Sequence, residues 1–413
     1  MVFLLYSSMY FNFNWRSGLL LIFFVHGMVY AFLLLNKGLK KESSSDIWLS
    51  AFLFLSVLFI CPWMLGYAGW YNGTVCMECR NFMFYMPMTH PLLMAPVIFF
   101  YIKSLLNPGF EFSKKDLWHF LPGTVFIIWN IIVAVVDNVV LKRYYLMDGQ
   151  NDPDFQNWYI AAGLLSLLIY LLLSLRFYKR YRAFIVQELS FADNVQYKWV
   201  SNFLIACFIY FLSTLVLDLL NVFGFDIDYT TTWWYYLLFA LLFYYIAITG
   251  YAHSIEQKKK YKLDFLRYQK PLQLENAAVQ TAEASFEIVE AELVSSIKPD
   301  NEIPEQWKQK VKKAIESKKM FQDPELTLTD LATELGTNAS LLSKIINRSF
   351  GMNFNDFINL YRVESVKEKL SDPANTHLTI MSLAYDAGFN SKATFNRAFK
   401  KHTGANPSEY QIK

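Results

Sequence analysis

The chain has 413 residues, of which 54% are hydrophobic, 18% aromatic and 18% charged, and its net charge is +3. Soluble domains carry about 25% charged residues, and the shortfall here is uneven: residues 1–250 hold 29 charged side chains and residues 251–413 hold 44. This distribution excludes a single soluble globule, and the apolar content excludes a disordered chain. Four cysteines are too few for a disulfide scaffold.

The first 250 residues contain seven apolar stretches. A transmembrane helix needs roughly 20 mostly apolar residues. Buried helices of a large soluble protein would require charged faces between the apolar ones, and the sequence lacks them. We therefore predict seven spans, of which the third is the shortest: Ser17–Leu35, Ile47–Tyr67, Pro91–Leu106, Leu117–Val136, Trp158–Leu175, Trp199–Asn221 and Thr232–Tyr251.

Lysine and arginine alternate between the predicted loops. The loops after spans one, three, five and seven are basic, and the intervening loops are poor in base or acidic. Because basic loops stay in the cytoplasm, this pattern predicts an outside N-terminus and a cytoplasmic C-terminus. No Lys or Arg precedes Arg16, so we expect the first span to be a retained anchor rather than a signal peptide.

Two ionisable residues inside the spans are candidates for a signal site. His26 lies near the middle of the first span and Asp218 towards the outer end of the sixth. Intramembrane ionisable groups are often functional, although a hydrogen-bonded histidine within a helix bundle is a common structural feature. The aromatic residues at the predicted interfaces fit an interfacial belt or, alternatively, a ligand-stacking surface on the outer face.

Cys76 and Cys79 form an isolated CxxC sequence in a predicted outer loop. A zinc site would need a second pair of ligands. A local disulfide, two free thiols, and a metal or redox sensor all remain open. We predict no metal site, no cofactor and no catalytic residues, since no constellation of acids, bases or metal ligands stands out.

Residues 253–305 separate the predicted spans from a charged C-terminal part. Lys258, Lys259, Lys260 and Lys262 follow the last span and suit the anionic lipid of the inner leaflet. Ser254–Tyr268 could prolong the seventh helix until Pro271, and 272–303 are rich in Ala and Glu without heptads. We predict a loose cytoplasmic connector here, after a membrane domain of residues 1–252.

The C-terminal part, residues 306–413, contains one pattern twice. Leu328–Gly336 and Ile380–Gly388 each have apolar residues at helical spacing and end in glycine, and a second helix follows each of them at Ala339–Phe350 and Ser391–Lys401. A helix, a turn with glycine and a second helix form a helix-turn-helix. The glycine permits a positive φ, and Asn338 and Asn390 are suitable N-caps. A helix at 354–370 is predicted to join the copies.

Residues 306–411 closely resemble the DNA-binding domain of AraC/XylS-type transcriptional regulators. The resemblance rests on the two units, on the stretch Asn353–Arg362, and on the signature Gly388–Gly404 followed by Asn406–Tyr410. The layout of the whole chain looks like that of membrane-bound AraC-type regulators of Bacteroidetes, in which a multi-span domain replaces the soluble effector-binding barrel. The resemblance implies that the two units read adjacent major grooves.

Both second helices are basic and free of acidic residues over their DNA-facing parts. By position in the family pattern, the resemblance implies base-facing roles for Ser340, Ser343 and Lys344 in the first unit and for Lys392, Ala393, Thr394 and Arg397 in the second. Asn396 lies on the same exposed stripe. Arg348, Lys400 and Lys401 are expected to hold phosphates, which gives affinity rather than sequence choice.

Together with the resemblance, the sequence predicts an all-α protein of a bacterial cytoplasmic (inner) membrane, with a seven-helix transmembrane sensor domain and a cytoplasmic double helix-turn-helix domain. We expect it to regulate transcription at promoter DNA in response to a signal ligand or a partner membrane protein. RNA polymerase, membrane lipid and a second copy of the chain are the other expected partners. The alternative is a transporter or channel with an appended DNA-binding domain. An intramembrane enzyme is not expected.

Overall fold

The computed structural model describes residues 13–72, 74, 76–107, 109–147, 152–192, 198–225, 227–256, 305–375 and 377–410. The predicted all-α fold is confirmed: these residues form helices and no strand, with an isolated antiparallel bridge between Leu189 and Thr327. Most of the predicted connector lies outside the described residues. The chain divides into two compact units, residues 1–178 with 197–263, and residues 179–196 with 264–413.

The first unit consists mainly of long apolar helices. Its α-helices are α1 (Trp15–Lys40), α2 (Ser44–Tyr67), α3 (Met77–Tyr85), α4 (Pro91–Leu106), α5 (Leu121–Val135), α6 (Asn157–Glu188, which continues into the second unit), α7 (Lys198–Val222) and α8 (Tyr229–Glu256). Six helical stretches are long and apolar enough to cross a membrane, with α5 lengthened to Lys114–Val140 by short 3₁₀ and π segments. The third predicted span, α4, is an apolar helix of 16 residues, which is shorter than the roughly 20 that a span usually needs.

The packing of the first unit depends on close helix contacts. A Cβ atom on Gly27 of α1 would lie 2.5 Å from Val57 of α2 and 2.7 Å from Phe243 of α8. Glycine at this position lets the three helices approach one another. In contrast, Ile22, Val25 and Val29 on α1 are exposed. Contiguous exposed apolar surface is rare on soluble proteins, which agrees with insertion of these helices in a bilayer.

Helix α6 is longer than the sequence predicts. The predicted fifth span ends at Leu175, but the helix continues to Glu188. The additional turns carry Lys179, Arg180 and Arg182, and residues 179–196 belong to the second unit. The predicted span ends at Leu175 because the residues after it are polar. These residues still have good helix propensity, so the helix continues beyond the span.

The second unit contains two helix pairs that pack against one central helix, and an additional helix precedes the first pair. Its α-helices are α9 (Glu305–Lys318), α10 (Leu328–Glu334), α11 (Ala339–Phe350), α12 (Phe354–Ser371), α13 (Ile380–Asp386), α14 (Lys392–Thr403) and α15 (Pro407–Tyr410). One apolar core joins α9, α10, α11 and the start of α12, and a second joins the rest of α12 to α13 and α14. The two predicted helix-turn-helix units and their connecting helix are thus present.

The caps of the two second helices differ. Asn338 caps α11 as predicted, since its side chain accepts a hydrogen bond of 2.7 Å from the Leu341 amide. The prediction that Asn390 caps α14 is wrong. Ser391 is the N-cap and accepts a hydrogen bond from the Thr394 amide, because the second turn contains one more residue than the first. Asn390 instead donates a hydrogen bond to the Pro324 carbonyl.

Candidate functional sites

Helix α14 presents opposite faces to the core and to the solvent. Phe395 and Phe399 are fully buried, and the helix ends at Gly404, whose φ is +77°. With one face fixed by packing, the other face is exposed and basic. The predicted DNA-binding residues on this exposed face are Lys392, Ala393, Asn396, Arg397, Lys400 and Lys401.

Helix α11 repeats this arrangement in the first unit. Leu342 and Ile346 are fully buried, whereas Ser340, Lys344 and Arg348 are exposed. Lysine and arginine side chains that leave a helix on one face can reach base edges and phosphates when that helix enters the major groove. Both second helices therefore have the geometry of recognition helices.

Two of the predicted base-facing residues are not exposed. Ser343 is 6% exposed and Thr394 is 2% exposed. Thr394 accepts a hydrogen bond of 2.9 Å from the Ser391 hydroxyl, and Ser343 lies 3.4 Å from the donating Asn347 amide group. Each of them is next in sequence to a fully buried core residue, Ser343 to Leu342 and Thr394 to Phe395, and lies at the edge of that buried face. The base-facing roles that the family resemblance implies for these two residues stay a prediction.

Lys401 is held by an acidic neighbour. Its ammonium group lies 2.7 Å from the Asp356 carboxylate, at the start of α12. A surface ion pair of this kind contributes only about 0–1 kcal/mol. DNA phosphates could therefore compete with Asp356 for Lys401 at low cost.

Arg362 occupies a structural position that the sequence does not reveal. It is 1% exposed, and its guanidinium donates hydrogen bonds of 2.7 Å to the carbonyl oxygens of Phe321 and Asp323. Two further bonds reach the carbonyl oxygen (3.2 Å) and the hydroxyl group (3.0 Å) of Ser190. The same guanidinium lies 5.9 Å from the ring centre of Phe389. Burial lowers the pKa of Arg362 to about 10, so the group stays charged at neutral pH.

Gly388, in the turn of the second helix-turn-helix, packs closely against the backbone of residues 321–322. Its φ is +94°, and a Cβ atom there would lie 2.5 Å from the Phe321 carbonyl oxygen and 2.8 Å from that of Gln322. The corresponding Gly336 has a φ of +66° and no atom within 4 Å of its Cβ position. The sequence predicts the positive φ at both turns, but the close approach at Gly388 follows only from the structure.

The two candidate signal residues of the first unit lie in different surroundings. His26 is on an exposed face of α1, where its Nδ1 atom lies 2.8 Å from the Ile22 carbonyl oxygen. Asp218 instead lines a cavity of about 290 Å³. The cavity is bordered by α2, α4, α6, α7, α8 and residues 154–155, and its lining includes Trp63, Met94, Asp154, Leu164, Tyr235 and Tyr236.

The cavity lining contains two buried polar atoms that have no hydrogen-bond partner among the described residues. These are the Oδ1 atom of Asp154 and the Nε1 atom of Trp63. The other carboxylate oxygen of Asp154 accepts hydrogen bonds from the amides of Met88 (2.7 Å) and Thr89 (2.9 Å). Burial, helped by the charge of Asp152, raises the pKa of Asp154 to about 7. Buried polar atoms normally have partners, so the cavity has unused capacity for polar recognition.

Cys76 and Cys79 are joined by a disulfide, with 5.2 Å between their Cα atoms. Among the described residues, no group of three or more His, Cys, Asp and Glu could hold a metal ion.

Comparisons with known proteins address the C-terminal part. Residues 331–412 match the family model described as a helix-turn-helix domain. An uncharacterized HTH-type transcriptional regulator of Staphylococcus aureus (strain COL) is 37% identical over 87 residues, which are 21% of this chain and 11% of that protein. The melibiose operon regulatory protein of Escherichia coli (strain K12) is 32% identical over 89 residues, 22% of this chain and 28% of that protein.

A protein of unknown function from Listeria innocua, whose structure has been solved, has 32% sequence identity to the matched part of this chain. The match covers 25% of this chain and 93% of that chain, with a TM-score of 0.22. The chain covers only about a tenth of the S. aureus regulator and about a quarter of the melibiose regulator. The relatives and the family model agree with the two units described above. The C-terminal domain of the chain is a helix-turn-helix domain of the AraC type.

Proposed function

We propose that the protein is a membrane-tethered transcriptional regulator that binds promoter DNA through α11 and α14. The observation that carries the proposal is the exposed basic face on each recognition helix, opposite a fully buried apolar face. Arg397, Lys392 and Lys344 supply donors for base edges, and Lys400, Lys401 and Arg348 supply charge for phosphates. Promoter recognition implies RNA polymerase as a partner, and two copies of the chain would extend the DNA site. No catalytic step is part of this proposal.

The full-length protein in lipid nanodiscs can test DNA recognition. Selection from a random double-stranded library would give the preferred sequence, and titration would then compare variants on it. Arg397→Ala is expected to weaken binding roughly 5- to 150-fold, since a bidentate base contact contributes about 1–3 kcal/mol. Lys313→Ala removes an exposed charge from α9 and should leave the affinity unchanged. Equal effects of the two variants would contradict recognition by α14.

The proposed orientation places the N-terminus outside and the DNA-binding domain in the cytoplasm. The alternation of basic loops supports it, and a Cys76–Cys79 disulfide suits an oxidising outer compartment. The basic residues 179–182 also group with the DNA-binding domain in one unit. Green fluorescent protein fused to Lys413 should fluoresce, and alkaline phosphatase fused there should be inactive. The reverse pattern would contradict the orientation.

We further propose that the membrane domain senses a signal. The cavity beside Asp218 supports this role, since small-molecule sites are mostly apolar concavities with a few polar groups. A ligand shifts a conformational equilibrium only by its differential affinity for the two states. A sensor would therefore show a ligand-dependent change in DNA affinity, whereas a transporter would move its substrate across proteoliposomes.

A further inference from the structure

We propose that the cavity between α2, α4, α6, α7 and α8 binds a small organic ammonium ion with an apolar or aromatic body. The proposal rests on the sensing role proposed above and adds the chemical class of the ligand. At about 290 Å³, the cavity lies at the small end of ligand pockets, which run from about 300 to 1,000 Å³.

The charges of the lining select a cation. Asp154 and Asp218 line the cavity, and its described lining contains no lysine, arginine or histidine. An anionic ligand would face two carboxylates without a compensating base. A purely apolar ligand would leave the Oδ1 atom of Asp154 unpaired, which is unfavourable for a buried acceptor. An ammonium group donates the missing hydrogen bond and neutralises the carboxylate.

The aromatic residues of the lining favour the same class. Six residues of the lining are aromatic: Phe59, Trp63, Phe155, Tyr210, Tyr235 and Tyr236. Aromatic faces attract cations, and the effect is larger in desolvated sites. Met94, Leu164 and Leu167 provide apolar contacts for the body of the ligand. Trp63 also offers its Nε1 donor to a polar substituent.

The test uses the full chain in nanodiscs and three probes of similar shape: 2-phenylethylammonium, 2-phenylethanol and 3-phenylpropionate. We expect saturable binding of the ammonium probe and weaker binding of the other two. Asp154→Asn keeps an acceptor for the Met88 and Thr89 amides. It should lower the affinity for the ammonium probe roughly tenfold or more, as expected for loss of a charged hydrogen bond. Asp228→Asn removes a carboxylate that does not line the cavity and should have no effect.

Equal binding of the three probes, no saturable binding, or wild-type affinity in Asp154→Asn would overturn the proposal. The DNA affinity of each sample is measured in parallel. A variant that loses probe binding but keeps the wild-type thermal midpoint of its membrane domain in the nanodisc is folded. If DNA binding itself fails in the wild type, the proposed regulatory function fails separately from the ligand class.

A second inference concerns residues 179–192, which are the last turns of α6 and the four residues of the following loop. They are here called the loop segment. The geometry points to the loop segment as a non-covalent anchor that holds the DNA-binding domain to α6, in addition to the covalent connection through residues 257–304. Leu189 and Ala192 are fully buried, and Phe184, Ile185 and Phe191 are 3–5% exposed. All of them belong to the same unit as the DNA-binding domain.

Backbone pairing fixes the position of the loop segment. The Ser190 amide donates to the Leu326 carbonyl at 3.2 Å, next to the bridge between Leu189 and Thr327. The Asn355 side-chain amide donates to the carbonyls of Leu189 (3.2 Å) and Ser190 (2.9 Å).

Buried side chains complete the attachment. Arg362 donates to the Ser190 carbonyl and hydroxyl oxygens, and the Thr329 hydroxyl donates to the Glu188 carboxylate. Asn355 and Arg362 are 5% and 1% exposed, so release of the loop segment would leave buried groups without partners. This arrangement is costly to break and has the character of a folded core rather than a surface contact.

Cleavage of the connector tests this anchor in the full-length protein. A protease recognition sequence is inserted between Ala284 and Ser285, the protein is cut in membranes, and the membranes are washed in high salt to remove electrostatic adhesion. We expect the C-terminal fragment to stay in the membrane pellet. Leu189→Asp should increase the released fraction roughly tenfold or more, which corresponds to about 1.4 kcal/mol of lost attachment.

Ala183→Asp is the matched control, since position 183 is in the same segment but exposed, and its fragment should remain bound. Release of the wild-type fragment would overturn the anchor, as would retention of the Leu189→Asp fragment. As a check on folding, the released Leu189→Asp fragment is assayed for binding to the selected DNA sequence.

Discussion

The two parts of the chain differ in how their sites relate to chain order. Each recognition surface of the C-terminal domain lies on one short helix, where residues three and four apart share a face. The cavity of the membrane domain is bordered by five helices and a loop, and its residues extend from Phe59 to Tyr236. Local spacing can therefore reveal the first kind of site, whereas the second depends on tertiary packing.

The largest expected effect is at Arg362, which links the two halves of the C-terminal domain. Arg362→Met removes the guanidinium donor from the carbonyls of Phe321, Asp323 and Ser190, although Ser190 keeps its bond from Asn355. Each hydrogen bond of a charged group contributes about 1.5–3 kcal/mol, so loss of these bonds together is expected to unfold the domain at 37 °C. Hydrogen exchange of α10 and α12 in the full-length protein measures this. Native protection in the variant would show that the guanidinium bonds are dispensable.

The two turn glycines should differ although their sequence context is alike. In Gly336→Ala the only cost is that of placing a Cβ on a residue with positive φ, which lowers the stability by about 1–2 kcal/mol. Gly388→Ala also places its Cβ against the backbone of 321–322, so we expect a larger loss of stability, by about 1–3 kcal/mol. The midpoint temperature for loss of DNA binding gives the order of the two variants. The same loss in both would remove the distinction that the structure draws.

A similar pair exists in the membrane domain. Gly27→Leu would push Val57 and Phe243 away, whereas the Cβ position of Gly18 has no atom within 4 Å. We expect Gly27→Leu to cost about 1–3 kcal/mol and Gly18→Leu to be tolerated. Thermal aggregation of the purified proteins in detergent compares them. Destabilisation by Gly18→Leu alone would contradict the packing of α1 on α2 and α8.

The smallest effect is expected at the ion pair between Lys401 and Asp356. Asp356→Asn frees Lys401 for phosphate and should tighten DNA binding about two- to fivefold, since an exposed pair contributes about 0.2–1 kcal/mol. Lys401→Ala should weaken binding and reduce the slope of log affinity against log salt by about one. These two variants are compared by titration on the selected DNA at several salt concentrations. An unchanged salt slope in Lys401→Ala would mean that the lysine holds no phosphate.

Whether the sequence predicts the role of a residue depends on how far along the chain its contacts lie. The four helices of the two helix-turn-helix units, their connecting helix and the cap at Asn338 depend on neighbours within four positions, and the spacing predicts them. The cap at Ser391 was missed because one added residue in the turn shifts the helix start. Ser343 and Thr394 are buried because they lie at the edge of the core-facing side of their helices, beside Leu342 and Phe395. Arg362 and Gly388 contact residues 41 and 67 positions away, and no local pattern carries that information.

In the membrane domain, the apolar stretches predict the helices but not the extent of α6 or the role of Asp154. Asp154 lies in a predicted outer loop, where an acidic residue is ordinary. It is held in a buried position by hydrogen bonds from the amides of Met88 and Thr89, about 65 residues earlier in the chain. Asp218 was selected because an acid in a span is unusual, and it does line the cavity. His26 was selected for the same reason and lies on an exposed face instead.

Genome-wide DNA enrichment with the intact membrane protein, beside its Arg397→Ala variant, tests the central claim most directly. A membrane-tethered regulator should give discrete promoter peaks in the membrane-associated material, and Arg397→Ala should lose them while the amount of protein in the membrane stays the same. Identical promoter peaks in the wild type and in Arg397→Ala would contradict DNA recognition by α14. Peaks found only with protein released from the membrane would contradict regulation by the tethered form.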